Sequence, residues 1–317
     1  MTTAKLSRPA DILRRFNVFF ILIGLFLLLS LLSKQFLTFP NLVNIAVHTS
    51  VTAITAVGVT YCMLAGGIDL SVGSIVALSS ALSAGFIMKQ GLPIYPSMIM
   101  ALAVGVGLGA VSGLLIVKGG LPPFVATLAM MAVARGLTMV YTRGWTIPIM
   151  LAEFTYWGTG QVGPFPMPVV VLAVVFVVAY IVLSRTKFGL YVYAVGGNVE
   201  TARLAGINTE LVTISVYMIS GFTAAVAGII TAARLYSAQP NVAAGLELDA
   251  IAASVLGGTS LFGGVGGMTG TLVGALIMST LNSGLNLVEI SSYYQKIVKG
   301  IVFILAVILD LYTKRRS

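Results

Sequence analysis

The sequence predicts an all-α polytopic membrane protein with about ten transmembrane segments, broken or re-entrant helices and both termini cytoplasmic. Three observations carry that prediction. Apolar residues fill 58% of the 317 positions and charged residues only 9%, whereas soluble domains are about 25% charged. The apolar residues gather in runs close to the ~20 residues that a helix needs to cross the hydrocarbon. Glycine and polar clusters interrupt some of those runs where a continuous helix would otherwise form.

Taken in order, the runs place segments at 17–36, 41–64, 71–88, 94–117, 122–142, 167–184, 211–235, 250–262, 267–287 and 296–312. The first follows Lys5, Arg8, Arg14 and Arg15 and has no small-x-small cleavage site after it, so it reads as a retained anchor. The eighth has about a dozen residues before the cluster Gly263, Gly264, Gly266 and Gly267. That is too short to span, which points to a half-helix or re-entrant piece. No linker or low-complexity tract divides the chain, so residues 1–317 read as a single transmembrane domain.

An even number of segments puts both termini on one side. Threading the ten segments puts eleven Lys and Arg on the face holding the termini, Lys118 and the 185–210 loop, and six on the other. Basic residues favour the cytoplasmic face, which fixes the orientation. Arg135 stays within the fifth segment. The net charge of +9 is dispersed in this way, so topology explains it without a nucleic-acid partner. Loop 143–166 falls outside, with Trp145 and Trp157 as candidates for an interfacial belt.

Small residues recur every four positions at Gly105, Gly109 and Gly113, and again at Gly266, Gly270 and Gly274. One glycine face lets neighbouring helix backbones approach and gain contacts that lipid cannot replace. Cys62 stands alone in an apolar run and reads as a small buried hydrophobe. His48 is likewise alone, leaving no histidine metal set or catalytic triad.

Four polar sets are candidates for a translocation path or gate. The run Gly66-Gly67-Ile68-Asp69-Leu70-Ser71-Val72-Gly73-Ser74 reads as a broken helix. Asp69 in it, with Ser71 and Ser74, either caps the third helix or belongs to the path, and the two roles are compatible. Glu247 and Asp249 are either first-turn acids or groups at an external mouth. Asn282 and Asn286 share a helix face and bond either a polyol or another helix. Arg135 snorkels, pairs with a carboxylate or lines the path.

No phosphate loop, nucleophile elbow, HExxH or cysteine–histidine metal spacing occurs. The chain therefore reads as a non-enzyme that binds no cofactor or metal of its own. Energy for active transport must come from a partner or an ion gradient.

The 185–210 loop contains Thr186-Lys187-Phe188-Gly189 and then Ala194-Val195-Gly196-Gly197-Asn198-Val199-Glu200-Thr201-Ala202-Arg203-Leu204-Ala205-Gly206-Ile207-Asn208. With the 66–74 run, Pro123-Phe124-Val125-Ala126-Thr127-Leu128 and Gly245-Leu246-Glu247-Leu248-Asp249-Ala250-Ile251-Ala252-Ala253, this resembles the permeases of the ribose/xylose/arabinose/galactoside branch of bacterial ABC importers. The resemblance covers essentially the whole chain, with four motifs in the family's order. It implies an inner-membrane permease that homodimerises, two ATP-binding cassettes that use ATP and Mg, and a periplasmic sugar-binding protein. It further implies that Gly196, Gly197, Asn198, Glu200, Arg203, Leu204, Gly206 and Ile207 form a coupling helix seated on the ATPase. Independently, a short helix capped by Asn198 that exposes Glu200 and Arg203 suits a rigid lever. Thr201 and Ala205 depart from the family's usual alanine and serine, which puts contact details in doubt. The competing reading is a stand-alone ion-coupled transporter or channel, broken at Gly66–Gly67 and Gly257–Gly258.

Overall fold

A computed structural model describes residues 9–314. The N-terminal Lys5 and Arg8 and the C-terminal Arg315 and Arg316, used above for orientation, lie outside the described residues. Thirteen helices follow in order: α1 (Pro9–Leu32), α2 (Phe39–Leu64), α3 (Val72–Met88), α4 (Ile94–Val117), α5 (Pro123–Thr142), α6 (Ala152–Thr159), α7 (Met167–Arg185), α8 (Lys187–Gly197), α9 (Val199–Leu204), α10 (Thr209–Arg234), α11 (Leu246–Leu256), α12 (Met268–Leu287) and α13 (Ser292–Lys314). Two small antiparallel pairs join Ile147–Pro148 to Ser237–Ala238 and Gln161–Val162 to Phe165–Pro166.

Among the described residues, α2, α4, α5, α7 and α10 are long and apolar enough to cross a membrane. At 1.5 Å per residue the 26-residue α2 and α10 reach about 39 Å. Both are central, with 61% of their most apolar stretch buried, against 28% or less for α4, α5 and α7. The outer helices present residues such as Phe124, Val140, Val174 and Ile181 to the surroundings. That suits a lipid solvent or a further helix.

Glycines set the packing. A side chain at Gly221 of α10 would collide with the Gly105 carbonyl of α4, and one at Gly109 with the Tyr217 carbonyl. Gly113 likewise meets the Ile214 backbone at 2.7 Å. The glycine face on α4 is therefore the seam with α10. Gly58 of α2 and Gly228 of α10 serve the same purpose against α10 and α3 respectively.

The second glycine series behaves differently. Gly270 and Gly274 lie in α12 and meet the Gly257 and Ala253 carbonyls of α11. Gly266 precedes the helix and packs on Thr259, because its φ of 137° takes the chain out of helical geometry. The loop 143–166 is also more structured than expected. Its helix α6 buries Phe154 in an outer cluster with Ile87, Ile149 and Ala233, and Trp157 packs there too. Trp145 remains 78% exposed, so only one of the two tryptophans stands free as a belt residue.

Two substitutions test the seam. Gly221→Val should lower the melting temperature of the detergent-solubilised protein, since overpacking costs about 1–3 kcal/mol. Gly107→Val on the open face of α4 should leave it nearly unchanged, because nothing lies within 4 Å of that position.

Candidate functional site

The first cluster forms where α2 ends. Gly66 takes a left-handed φ of 81°, its N–H donates to the Met63 carbonyl, and the Gly67 N–H donates to that of Cys62. These two bonds close the helix and satisfy carbonyls that would otherwise be orphaned. The chain then runs without regular structure from Gly67 to Ser71 before α3 begins. Thr127 of α5 and Tyr217 of α10 donate to the Ile68 carbonyl at 3.1 and 3.4 Å, so the bare backbone is held by side chains. Irregular backbone inside a helical membrane body requires this kind of satisfaction.

Asp69 is fully buried. One carboxylate oxygen accepts from the Ser71 N–H at 2.9 Å and from its hydroxyl at 2.6 Å. Its other oxygen makes no hydrogen bond of good geometry, with the Ser220 side chain as its polar neighbour. Asp69 thus organises the start of α3 with one oxygen and keeps the second available. Ser74 is buried one turn on. Cys62 donates weakly to the Val216 carbonyl at 3.5 Å and is completely buried, a packing residue as expected.

The second cluster joins α5 to the segment before α11. Arg135 donates to the carbonyls of Pro240 and Val242 at 2.8 and 3.0 Å. It therefore neither snorkels nor closes an ion pair. Glu247 accepts from the Gly245 N–H at 3.2 Å, which makes it a first-turn acid of α11, and it presses on Gly73 of α3. Gly73 has to lack a side chain here. The first two clusters are thus contiguous around the start of α3.

The third cluster lies between α11, α12 and α13. Asp249 pairs with Lys299 at 2.7 Å. Asn286 accepts from Gln295 at 2.7 Å. Asn282 bears on the Asp249 carboxylate and has a buried carbonyl oxygen without a partner. Lys299 and Gln295 were invisible in the sequence: Lys299 served only as an external charge for topology, and Gln295 fell in a connection. His48 is also less isolated than it looks, with the Arg234 guanidinium within hydrogen-bond distance of both ring nitrogens.

The loop between α7 and α10 folds into α8 and α9. The Asn198 side chain accepts from the Thr201 N–H at 2.8 Å and caps α9. Gly206, at a φ of 83°, ends it, with the Ile207 N–H donating to the Ala202 carbonyl. Ala202 is buried, while Glu200, Arg203 and Leu204 are exposed. The short helix is anchored by one residue and presents the rest.

Where α8 ends, three breaks meet. A side chain at Gly196 would collide with the Leu64 carbonyl at the end of α2 and lies 2.7 Å from the Gly264 nitrogen. The Gly264 N–H donates to that same Leu64 carbonyl at 3.0 Å. At Gly263 a side chain would meet the Gly196 oxygen at 2.6 Å and Gly66 at 2.9 Å. Tyr193 of α8 donates to the Gly266 carbonyl at 2.9 Å. Burial raises the Tyr193 phenol above its ordinary value, which keeps it a neutral donor. A cavity of about 290 Å³ opens beside this junction, lined in part by Gly66, Val199, Glu210 and Tyr217. The end of α8 is thus fastened, backbone to backbone, to the breaks at 65–71 and 257–267.

The profile of the branched-chain amino acid transport system / permease component family matches residues 41–307. The chain belongs to this permease family. Among its relatives, the ribose import permease protein RbsC of Escherichia coli (strain K12) is 48% identical over 295 residues, covering 91% of each chain. The RbsC of Bacillus subtilis (strain 168) is 45% identical over 293 residues, again 91% of each. The D-allose transport system permease protein AlsC of Escherichia coli (strain K12) is 37% identical, covering 93% of this chain and 91% of the relative. No solved structure matches the chain. The permease is a multi-pass protein of the bacterial inner membrane, and its relatives are transport subunits, not enzymes.

The junction and the broken helix each yield an expectation for this permease. Gly196→Ala should abolish most substrate uptake into vesicles by the assembled importer, since the methyl meets backbone that cannot yield. Gly197→Ala should retain uptake, because the space beside Gly197 is open. Asp69→Asn keeps an oxygen acceptor for Ser71, so melting should shift by no more than about 1 kcal/mol. Its uptake should nonetheless fall if the charge belongs to the path; equal loss of folding and uptake would leave only the capping role.

Proposed function

We propose that the permease forms the translocation path of an ATP-driven importer for ribose or a related monosaccharide. Identities of 45–48% to ribose import permeases across some nine-tenths of the chain support the cargo class. The observation that carries the mechanism is the glycine junction, which ties an exposed lever to both interruptions of the helical body.

In this reading all 317 residues form one membrane domain with ten segments and both termini in the cytoplasm. α11, with 11 residues, extends about 16 Å and cannot cross ~30 Å of hydrocarbon by itself. It crosses together with the chain that descends to it and the loop that follows. The chain has no phosphate loop, so ATP and Mg are held by a partner cassette subunit. α9, with Glu200, Arg203 and Leu204 outward, seats on that partner. A periplasmic sugar-binding protein delivers the cargo, and a second copy of the permease completes the channel.

Closure of the partner pushes α9. The rigid caps at Asn198 and Gly206 keep the helix from fraying, so displacement passes through α8 to Gly196. There it bears on the end of α2 and on the 257–267 loop, and from them on the irregular segment holding Asp69 and on α11 holding Glu247 and Asp249. Asp69, Ser71, Ser74, Arg135, Glu247, Asp249, Asn282 and Asn286 line or set the path. Its polar groups are mostly satisfied by protein, which suits weak, transient sugar contacts.

Uptake of radiolabelled ribose into proteoliposomes tests this. Uptake should require the permease, the ATPase subunit and the sugar-binding protein together. Glu200→Ala and Arg203→Ala should weaken co-purification with the ATPase while membrane insertion is unchanged. Gradient-driven uptake by the permease alone would overturn the reading in favour of an ion-coupled transporter.

A further inference from the structure

A cavity of about 460 Å³ lies between α11, α12 and α13, where the third polar cluster gathers. Asp249, Ser292, Gln295, Lys296 and Lys299 supply its polar groups, and Leu248, Met278 and Phe303 its apolar walls. We propose that this cavity is a low-affinity monosaccharide subsite of the permease, a role that rests on the importer reading above. The Asp249–Lys299 pair grips two neighbouring hydroxyls, and the apolar walls cover the C–H face of the sugar.

The chemistry of the pair accommodates a neutral polyol. The carboxylate and the ammonium meet at 2.7 Å, and that contact uses one of three ammonium donors and one of about four carboxylate acceptor sites. A sugar hydroxyl donates to the remaining carboxylate capacity while its neighbour accepts from the ammonium. The bridge stays closed throughout. A lone cation would face both Lys296 and Lys299 and is disfavoured. A zwitterionic amino acid would have to open the bridge, leaving each charge to find its partner across the ligand.

Gln295 fits the same purpose. Its amide N–H groups donate to Asn286 at 2.7 Å and to the Ile290 carbonyl at 2.8 Å. That fixes the side chain and leaves its carbonyl oxygen as a further acceptor. The two elements that carry the pair also differ mechanically. Asp249 rides on the half-helix that leads to the 257–267 loop at the lever junction, whereas Lys299 rides on α13. Movement of the lever therefore reaches one half of the grip and alters its geometry. A charged pair within a membrane helix layer is costly, and such pairs mark transport paths more often than they serve as mere fasteners.

The test uses the permease–ATPase complex in nanodiscs without the sugar-binding protein, and D-ribose as the probe in ligand-observed saturation-transfer NMR. Saturable millimolar binding is expected. Lys299→Gln and Gln295→Leu should each weaken it by about tenfold, equivalent to 1.4 kcal/mol. Gln295→Leu leaves the ion pair intact, so its effect does not depend on how well Lys299→Gln folds. In the complete importer it should lower maximal uptake without changing the half-saturating ribose concentration, which the sugar-binding protein sets. Absence of saturable binding to the wild-type complex, unchanged binding by Gln295→Leu, or equally good competition by leucine would overturn the subsite. Ribose uptake that persists without such binding would leave the importer reading standing, whereas failure of uptake by the complete system would remove both.

Discussion

Everything in this permease turns on how closely three pieces of bare backbone approach one another at Gly196. Leu64 ends one central helix, Gly263 and Gly264 belong to the loop after α11, and Gly196 lies at the end of the first helix of the 185–210 loop. A methyl group at Gly196 would not fit between them. Main-chain contact is stiff, because it has no rotamers to absorb a push, so displacement of one piece is passed to the other two. α2, α9 and α11 end in the same way, with a left-handed glycine at Gly66, Gly206 and Gly258 followed by a closing pair of hydrogen bonds. Each cap stops a helix abruptly without stranding its carbonyls. Abrupt ends allow a loop to turn back within the body and meet its neighbours at full contact.

The helical layout was largely legible in the sequence, because hydrophobic length is a strong constraint in lipid. Segments 94–117 and 167–184 coincide with α4 and, to one residue, with α7. The short eighth run, placed at 250–262, overlaps the 11-residue α11 only over 250–256, because the helix begins at Leu246 and stops before Gly257. The glycine series at Gly105, Gly109 and Gly113 correctly marked a seam, although only the structure names α10 as its other side. Gly266 was misplaced in a helix because spacing counts residues and ignores the backbone angle that removed it. The helical content of loops 143–166 and 185–210 was less visible, since short helices held by tertiary contacts lack a long apolar period.

The candidate site was legible where a residue's role is local. Asn198 caps and Gly206 terminates α9 as their types dictate. Asp69 proved to be a helix organiser with one oxygen to spare. Roles set by distant chain were hidden. Lys299 looked like a topology charge, yet it pairs with Asp249 fifty positions earlier. Arg135 allowed three readings, and none of them named its partners, two carbonyls more than a hundred residues away. Gly196 stood out as part of a motif, but nothing in its neighbours foretold contact with Leu64 or Gly263.

A joint made almost wholly of main chain, with the Tyr193 hydroxyl already committed to the Gly266 carbonyl, has little with which to distinguish one passenger from another. Whatever tells pentose from hexose has to reside in side chains elsewhere, so the transmission and the cargo preference occupy separable parts of the molecule. A change of diet would then require rebuilding the hold and leave the gearbox alone.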